Sequence, residues 1–199
     1  TTDLAALVLE FPPQPGLERW VVLTHAWRPR EGGIEAEKRD HVPYRDWERA
    51  GFLRLCDGDI IDYTDVEQVI CGCKEFYDLQ TLGVDPYLSR TLTQRLTERG
   101  VNVVEIPQTM LSMSPAMKEL ADMIRKGEML HIHNTCARWC FGNVRCAVDG
   151  NENMKPMKNR STGRIDIAVA WIIAQATWML KRNEGPDLAD VISSGKFSL

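Results

Sequence analysis

Two aspartates lie where carboxylates could act together on a metal ion. Asp85 follows the short apolar run Thr81–Val84, and Asp166 lies in the first turn of a helix predicted over Ile165–Lys181. Carboxylates that converge from separate strands and helices form the oxygen-rich sites that Mg²⁺ and Mn²⁺ prefer. Two such ions can activate a water molecule and stabilise the leaving oxygen of a phosphodiester. The two residues therefore support a hypothesis of metal-dependent phosphodiester hydrolysis.

Each aspartate also has a purely structural interpretation. Aspartate is a favoured helix N-cap and proline a favoured first helical residue, so Asp85 and Pro86 fit the start of a helix. Asp166 could lie in an exposed first turn, where its negative charge interacts favourably with the dipole of its own helix. The residues after Asp166 are apolar on nearly every side, however, and a carboxylate on a buried helix is costly unless it is paired or bound to a metal. Taken one at a time, the two residues leave both interpretations open.

The composition is that of an acidic globular chain. It has 199 residues, 24 Lys and Arg against 28 Asp and Glu, a formal net charge of −4 and 44% hydrophobic residues. The hydrophobic fraction argues against a disordered chain, and the negative charge argues against a protein that coats nucleic acid by charge alone. The N-terminus does not resemble a signal peptide, and the longest apolar stretch, 165–180, is too short and too interrupted to span a membrane. These features predict a cytoplasmic protein without a membrane partner.

The cysteines and histidines offer a zinc site as an alternative. Structural zinc favours two to four residues between paired cysteines and three to five between paired histidines. Cys71 and Cys73, like His131 and His133, are separated by one residue only, whereas Cys136 and Cys140 are four apart and could share a helix face. Buried thiols that act as small apolar residues are the favoured interpretation. The candidate zinc ligands are Cys71, Cys73, His131, His133, Cys136 and Cys140.

The order of predicted elements indicates an α/β domain. The apolar runs Leu4–Phe11 and Arg19–Trp27 flank a Pro/Gly turn and predict an antiparallel hairpin. The polar segment Arg28–Asp46 predicts a surface loop, with room for one helical turn. Helices and strands then alternate, which favours a mixed sheet with helices on both faces. They are a helix that starts near Asp62–Asp65 with a Thr64-x-x-Glu67 capping box and runs to about Asp78, a strand Thr81–Val84, a helix Asp85–Arg99, a strand Val101–Ile106, a helix opened by Ser114-Pro115 and closed near Lys126-Gly127, strands Met129–His133 and Asn143–Val148, a basic loop Asn153–Arg160 and a helix Ile165–Lys181.

An ordered set of motifs resembles the nuclease domain of the large terminase subunit of tailed bacteriophages. Each motif is short, but together they run in order from Thr2 to about Ala174. The segments that carry the resemblance are Thr2-Asp3-Leu4-Ala5-Ala6-Leu7, Gly83-Val84-Asp85-Pro86-Tyr87, Val103-Val104-Glu105-Ile106-Pro107-Gln108-Thr109, Ser112–Leu120, the series His131, Asn134, Trp139 and Asn143, and Ile165-Asp166-Ile167-Ala168-Val169-Ala170.

The resemblance implies an RNase H-like fold over residues 1–185, with a peripheral tail over 186–199. It also implies an endonuclease that cuts concatemeric double-stranded DNA during genome packaging, with two Mg²⁺ or Mn²⁺ ions held by three acidic residues. Asp85 matches the second of these residues and Asp166 the third. The first belongs to a strand expected before Thr1 and therefore absent from this chain. Asp3 matches a neighbouring acidic position at the rim of the metal site.

The resemblance also implies partners. Lys155, Lys158, Arg160 and Arg164 precede Asp166 and are candidates for contacts to DNA phosphates, which position a duplex without reading its sequence. The expected protein partners are a packaging ATPase domain upstream on the same polypeptide, a small terminase subunit and a portal protein, in the host cytoplasm. Three alternatives stay open: another RNase H-like nuclease such as a resolvase or transposase core, a non-catalytic module that docks to DNA or the portal, and a zinc-stabilised binding domain.

Overall fold

A computed structural model of the protein describes residues 4–31, 33–87 and 90–183. Asp3 and the expected tail 186–199 lie outside these ranges. Within them, no helix has both the length and the apolar character needed to cross a bilayer. The elements are β1 (Ala5–Phe11), β2 (Trp20–Pro29), α1 (Gly33–Asp40), α2 (Tyr44–Arg49), β3 (Arg54–Cys56), α3 (Tyr63–Phe76), β4 (Leu82–Val84), α4 (Arg90–Glu98), β5 (Val103–Glu105), α5 (Met110–Lys126), β6 (Met129–His131), α6 (Thr135–Asn143), β7 (Cys146–Val148), β8 (Met154–Pro156), a 3₁₀ turn (Lys158–Arg160) and α7 (Asp166–Asn183).

The strands form one mixed sheet and two smaller pairs. β1 and β2 form the predicted antiparallel hairpin, with Ala5 opposite Trp27. Because β1 occupies one edge of β2, the other edge is shared by β6 near Trp20 and by β3 near Trp27, both parallel to β2. β4 and β5 form a parallel pair, and β7 and β8 an antiparallel hairpin. The predicted mixed α/β arrangement is therefore confirmed.

Hydrophobic cores lie on both faces of β1, as the strand's alternation requires. Leu4 and Val8 belong to the core that contains α5, α6 and α7. Leu7 and Leu9 belong to the opposite core, which contains α3, α4 and the β4–β5 pair. The sheet therefore lies between two helical layers.

Helix α7 lies at the centre of the packing. It contacts β1, β2, β4, α5 and α6, and residues such as Ile167 and Ala168 on it are completely buried. β4 approaches it so closely that a Cβ atom on Gly83 would lie 1.9 Å from the Thr177 hydroxyl oxygen. Glycine at position 83 thus allows β4 to pack directly on the helix.

The segment expected to be a surface loop is instead folded onto the core. Arg28–Asp46 contains α1 and the start of α2. Tyr44 and Trp47 of α2 are buried, and the Arg28 guanidinium lies 4.3 Å from the centre of the Tyr44 ring. The loop prediction was wrong because a few buried aromatic side chains anchor a segment whose average composition is polar.

Helix α3 starts at Tyr63, as predicted, but the predicted capping box was wrong. The side chain that caps α3 is Asp62, which accepts the Thr64 backbone N–H, while Glu67 is buried and pairs with Arg95 of α4 and with Arg99 just after that helix. Glu67 therefore ties two helices together rather than closing a capping box.

The predicted start of α5 was wrong, because this helix begins at Met110 with Thr109 as its N-cap. Pro115 consequently lies inside the helix rather than opening it. The basic loop predicted over Asn153–Arg160 is also more regular than expected, because its first part forms β8 and pairs with β7.

Glu10 is an acidic residue whose carboxylate oxygens are buried near Trp171 of helix α7. It lies on β1, and within the described part of the chain neither carboxylate oxygen has a hydrogen-bond partner. Burial raises the pKa of Glu10 from 4.5 to about 8; the nearby Trp171 indole lowers it somewhat and the Glu119 carboxylate adds to the rise. Glu10 therefore carries a proton in the folded protein at neutral pH.

The raised pKa of Glu10 predicts a loss of stability as the pH rises. The folded state holds the proton between pH 4.5 and about 8, whereas the unfolded chain releases it, so the free energy of unfolding falls by up to about 1.4 kcal/mol per pH unit in this window. Urea unfolding of wild type and Glu10→Gln from pH 5 to 8 measures this, and the difference should widen in favour of the variant. Glu18→Gln, at an exposed glutamate, is the control; parallel pH profiles for wild type and Glu10→Gln would contradict the prediction.

Candidate active site

Asp85 lies at the carboxyl end of β4, with both carboxylate oxygens engaged. Oδ1 accepts the backbone N–H of Tyr87 at 3.0 Å, and Oδ2 accepts the side-chain amide of Gln108. Pro86 and Tyr87 form a turn rather than the first residues of a helix. The bond to Tyr87 is thus a local turn of the kind aspartate favours, and Asp85 does not cap a helix.

Gln108 reaches Asp85 because the two strands before them are parallel neighbours. Val84 pairs with Glu105, and the Ile106 backbone N–H donates to the Val84 carbonyl at 2.8 Å. The chain therefore leaves both strands at the same edge of the pair. The Lys155 ammonium donates to the Gln108 carbonyl at 3.4 Å, which joins β8 to this loop. Gln108 was not among the predicted site residues, although Pro107-Gln108-Thr109 belongs to the motifs that carry the resemblance.

Asp166 is the first residue of α7 and is almost enclosed. Its side chain is 11% exposed, and the Lys158 ammonium lies 2.7 Å from its Oδ1. A carboxylate here is favoured by the N-terminal end of the helix dipole and by the lysine.

The negative charge of Asp166 contributes to the pKa shifts of two other side chains. Burial raises the pKa of Tyr63 on α3, with Lys158 lowering it and Asp166 raising it. The pKa of Cys136 on α6 is raised by its hydrogen bond to Cys140, by burial and, in smaller part, by Asp166. Asp166 therefore contacts the 3₁₀ turn through Lys158 and lies within electrostatic range of Tyr63 and Cys136.

Helix α6 holds the segment that leads into Asp166. The Asn143 side-chain amide donates to the Arg164 carbonyl at 3.1 Å, and the Thr162 hydroxyl donates to the Asn143 amide oxygen at 3.2 Å. Between them, a Cβ atom on Gly163 would lie 2.6 Å from Asn143 Nδ2 and 3.0 Å from the Trp139 ring. The segment thus fits against α6 with no room for a side chain at position 163.

Asn134 fixes α6 in turn. Its side-chain oxygen accepts the Ala137 backbone N–H at 3.0 Å as the helix N-cap, and its amide donates to the Thr24 hydroxyl of β2 at 2.8 Å. Three members of the series of His131, Asn134, Trp139 and Asn143 therefore form a chain of contacts from the central sheet to the segment before Asp166.

The four basic residues expected to meet DNA have different surroundings. Lys155 contacts the carbonyl of Gln108, whose side chain binds Asp85, and Lys158 contacts Asp166 itself. Arg160 is exposed on the 3₁₀ turn, and Arg164 lies within electrostatic range of Asp40 and Tyr44. One of the four cations thus pairs directly with a candidate carboxylate, and a second contacts the residue that binds the other.

The groups required by the zinc alternative do not assemble. All six cysteines are free thiols, and Cys136 and Cys140 are buried together within α6. Over 4–31, 33–87 and 90–183, no group of three or more His, Cys, Asp or Glu side chains is placed to hold a metal ion. Asp85 lies at the end of β4 and Asp166 at the start of α7, and the segment that carries Lys155 and Lys158 contacts Gln108 beside the first and the carboxylate of the second.

The chain is similar in sequence and in structure to known proteins. The chain is 31% identical over 174 residues to Protein YmfN of Escherichia coli strain K12, covering 84% of this chain and 38% of that protein. It is 30% identical over 170 residues to the large terminase subunit of Enterobacteria phage HK97, covering 84% and 33%. The crystal structure of the HK97 bacteriophage large terminase matches with a TM-score of 0.80 at 28% identity, over 88% of this chain and 37% of that one. The chain thus spans little more than a third of these relatives.

The fold defines the class of protein: it is an α/β domain of the RNase H-like kind found in terminases, as the resemblance implied. A family model described as the endonuclease domain of the terminase large subunit matches residues 2–184. The chain belongs to this family.

The close fit at Gly163 predicts that a methyl group there disrupts the candidate site. Gly163→Ala forces Asn143 and Trp139 apart, and overpacking of this kind costs about 1–3 kcal/mol. Urea unfolding measures the loss. Gly72→Ala is the matched control, because Gly72 is exposed within α3 and a Cβ atom there meets nothing within 4 Å, so alanine should stabilise the helix slightly. Equal stability of Gly163→Ala and wild type would show that the segment is not tightly held.

Proposed function

We propose that the chain is a metal-dependent endonuclease domain that cuts concatemeric double-stranded DNA during phage genome packaging. The observation that carries the proposal is the pair Asp85 and Asp166. Each carboxylate lies at the end of a regular element and is bound by a nitrogen donor from a nearby loop. Membership in the terminase endonuclease family supports the same activity.

The chemistry of these side chains fits Mg²⁺ or Mn²⁺. Carboxylate and amide oxygens are hard ligands, and Asp85, Asp166 and the amide of Gln108 supply them. Asp166 is already paired with a positive charge, since the Lys158 ammonium lies 2.7 Å from its Oδ1. In the proposal Asp85 and Asp166 hold two ions, with Asp3 at the rim of the site. When bound, such ions supply Lewis acidity for phosphodiester hydrolysis.

A further strand with another acidic ligand fits the sheet. Among the described residues β1 pairs only with β2 and β4 only with β5, yet α7 packs on both β1 and β4. A strand placed between these two edges would join the separate sheets beneath α7. This is the strand that the resemblance places before Thr1, and it would bring the first carboxylate to the site.

The DNA is held, in this proposal, by a local group of cations on an acidic protein. Lys155, Lys158 and Arg160 lie on one short segment beside the carboxylates, whereas the net charge of the whole chain is −4. Arg164 extends the group toward α1. Phosphate contacts of this kind orient a duplex without sequence readout, so cleavage is expected at many sequences.

The proposed setting is the packaging machine in the host cytoplasm. The partners are an ATPase domain on the same polypeptide, a small terminase subunit and a portal protein. The HK97 relative is a large terminase subunit of which the match covers 33%, which leaves most of that protein for other tasks. A domain that docks to DNA without cutting it is the competing function, and the next experiment separates the two.

Replacement of either carboxylate is expected to abolish cleavage. Asp166→Asn and Asp85→Asn each remove a charged ligand, which costs several kcal/mol of transition-state stabilisation and about a thousandfold or more in rate. Nicking of supercoiled plasmid with Mg²⁺ or Mn²⁺ measures this, and EDTA should abolish the wild-type activity.

Asp122→Asn is the matched control, because Asp122 is an exposed residue of α5 paired with Arg125. Circular dichroism and melting should show that all three variants are folded. Retained cleavage in Asp166→Asn would count against the assignment of Asp166. DNA binding by wild type without cleavage under any metal condition would favour the docking module.

The basic residues are expected to bind DNA through its phosphates. Lys155→Gln and Arg160→Gln should each weaken binding equally for unrelated sequences and reduce the slope of log affinity against log salt by about 0.9. Fluorescence anisotropy with a labelled duplex in Ca²⁺ measures both effects. Arg19→Gln, at an exposed residue just before β2, removes the same charge elsewhere. An unchanged slope in both loop variants would show that the segment does not contact the duplex.

A further inference from the structure

We propose that Lys158 is an internal counter-ion that a divalent cation must displace from Asp166. The displaced ammonium group would then contact the DNA phosphate. This inference rests on the proposed function, since it assumes that Asp166 binds metal. It adds a step that the pair of carboxylates alone does not predict, namely competition between a side chain and the metal for the same oxygen.

The ion pair is asymmetric in its exposure. The Asp166 side chain is 11% exposed and that of Lys158 is 57% exposed, with 2.7 Å between Nζ and Oδ1. Asp166 is fixed at the start of a buried helix, whereas Lys158 reaches in from a short 3₁₀ turn on a flexible stem. A change of partner therefore requires movement of the lysine and leaves the carboxylate in place.

The charges around Asp166 favour this exchange. Its electrostatic neighbours include Tyr63 of α3, Cys136 of α6 and Lys158. Of these three, only Lys158 carries a positive charge at neutral pH. Loss of the ammonium group removes one compensating charge from a nearly enclosed carboxylate, at the modest cost of a partly exposed ion pair. A divalent cation restores this compensation, so arrival of the metal favours departure of the lysine.

Competition has opposite consequences for metal binding and for cleavage. Without the lysine, Asp166 should bind a cation more tightly, because no ion pair has to be broken first. Cleavage should nevertheless fall, because the displaced ammonium group no longer reaches the phosphate. A lysine that only supports the fold would lower both quantities, and one that only contacts DNA would leave metal affinity unchanged.

Binding of Mn²⁺ to the full 199-residue chain tests the inference without DNA. Electron paramagnetic resonance of unbound Mn²⁺ gives the affinity of wild type, Lys158→Met, Lys158→Arg and Arg160→Met. Lys158→Met should bind about two- to fivefold more tightly, the range that corresponds to a partly exposed ion pair. Lys158→Arg keeps the charge and should not bind more tightly than wild type. Arg160→Met removes one positive charge from the same turn and controls for net charge.

Thermal melting gives a second readout. Lys158→Met should melt at a lower temperature than wild type in EDTA, and Mn²⁺ should raise its melting temperature more than that of wild type. This behaviour requires the metal and the ammonium group to compensate the same carboxylate.

The outcomes separate this inference from the proposed function. Unchanged or weaker Mn²⁺ binding by Lys158→Met, together with loss of binding in Asp166→Asn, overturns the role of Lys158 and leaves the metal site intact. Equal tightening in Arg160→Met also overturns it, because net charge alone would then explain the effect. Absence of Mn²⁺ binding in wild type and every variant overturns the metal-dependent function and this inference with it.

Discussion

The need to bury helix α7 is the constraint on which the rest of the structure depends. Its residues are apolar on nearly every side, and β1, β2, β4, α5 and α6 cover it. Each fully buried Ile or Val contributes about 1.5–3 kcal/mol, whereas a partly exposed ion pair contributes at most about 1 kcal/mol. The position of Asp166 is therefore decided by the packing of the helix behind it. The pairing with Lys158 follows from that position and does not create it.

The other half of the candidate site depends on strand geometry. β4 and β5 are parallel, and ligand sites in α/β sheets form where parallel strands end. Asp85 and Gln108 leave the sheet at the same edge, so a residue distant along the chain can orient the carboxylate. The two halves meet on a single segment, because Lys155 contacts the first and Lys158 the second. A shift of that segment would alter both.

The sequence predicted the parts of the fold that depend on local pattern. The β1–β2 hairpin followed from two apolar runs around a proline turn, and α7 from its continuous apolar stretch. The α1–α2 segment could not be predicted, because Tyr44 and Trp47 are buried by residues distant in sequence while their neighbours are polar. The start of α5 was misplaced for a different reason. Thr109 and Ser114-Pro115 are both plausible starts, and proline is tolerated inside the helix here.

The surroundings of the candidate site residues could not be predicted from the sequence. Asp85 and Asp166 were selected by residue type and position and stay a prediction, with a helix cap as the alternative for Asp85 and a helix-dipole interaction as the alternative for Asp166. Their partners come from elsewhere in the chain, since Gln108 and Lys158 approach through tertiary packing. Local pattern cannot supply such pairs, and the ordered motifs supplied only the residue types. The importance of Gly163 could not be predicted either, because it depends on contacts with side chains of α6.

Glu10 and Asp166 both lie beside helix α7, but only Asp166 is suited to bind a metal ion. Glu10 is buried near Trp171, and without a hydrogen-bond partner among the described residues its pKa rises to about 8. It is protonated at neutral pH, and a protonated carboxyl group is a poor metal ligand. Asp166 is also nearly enclosed, but it lies at the positive end of the helix dipole beside an ammonium group. The same helix can thus hold a neutral acid in its core and an anion at its rim, and only the rim is open to a cation and a phosphate.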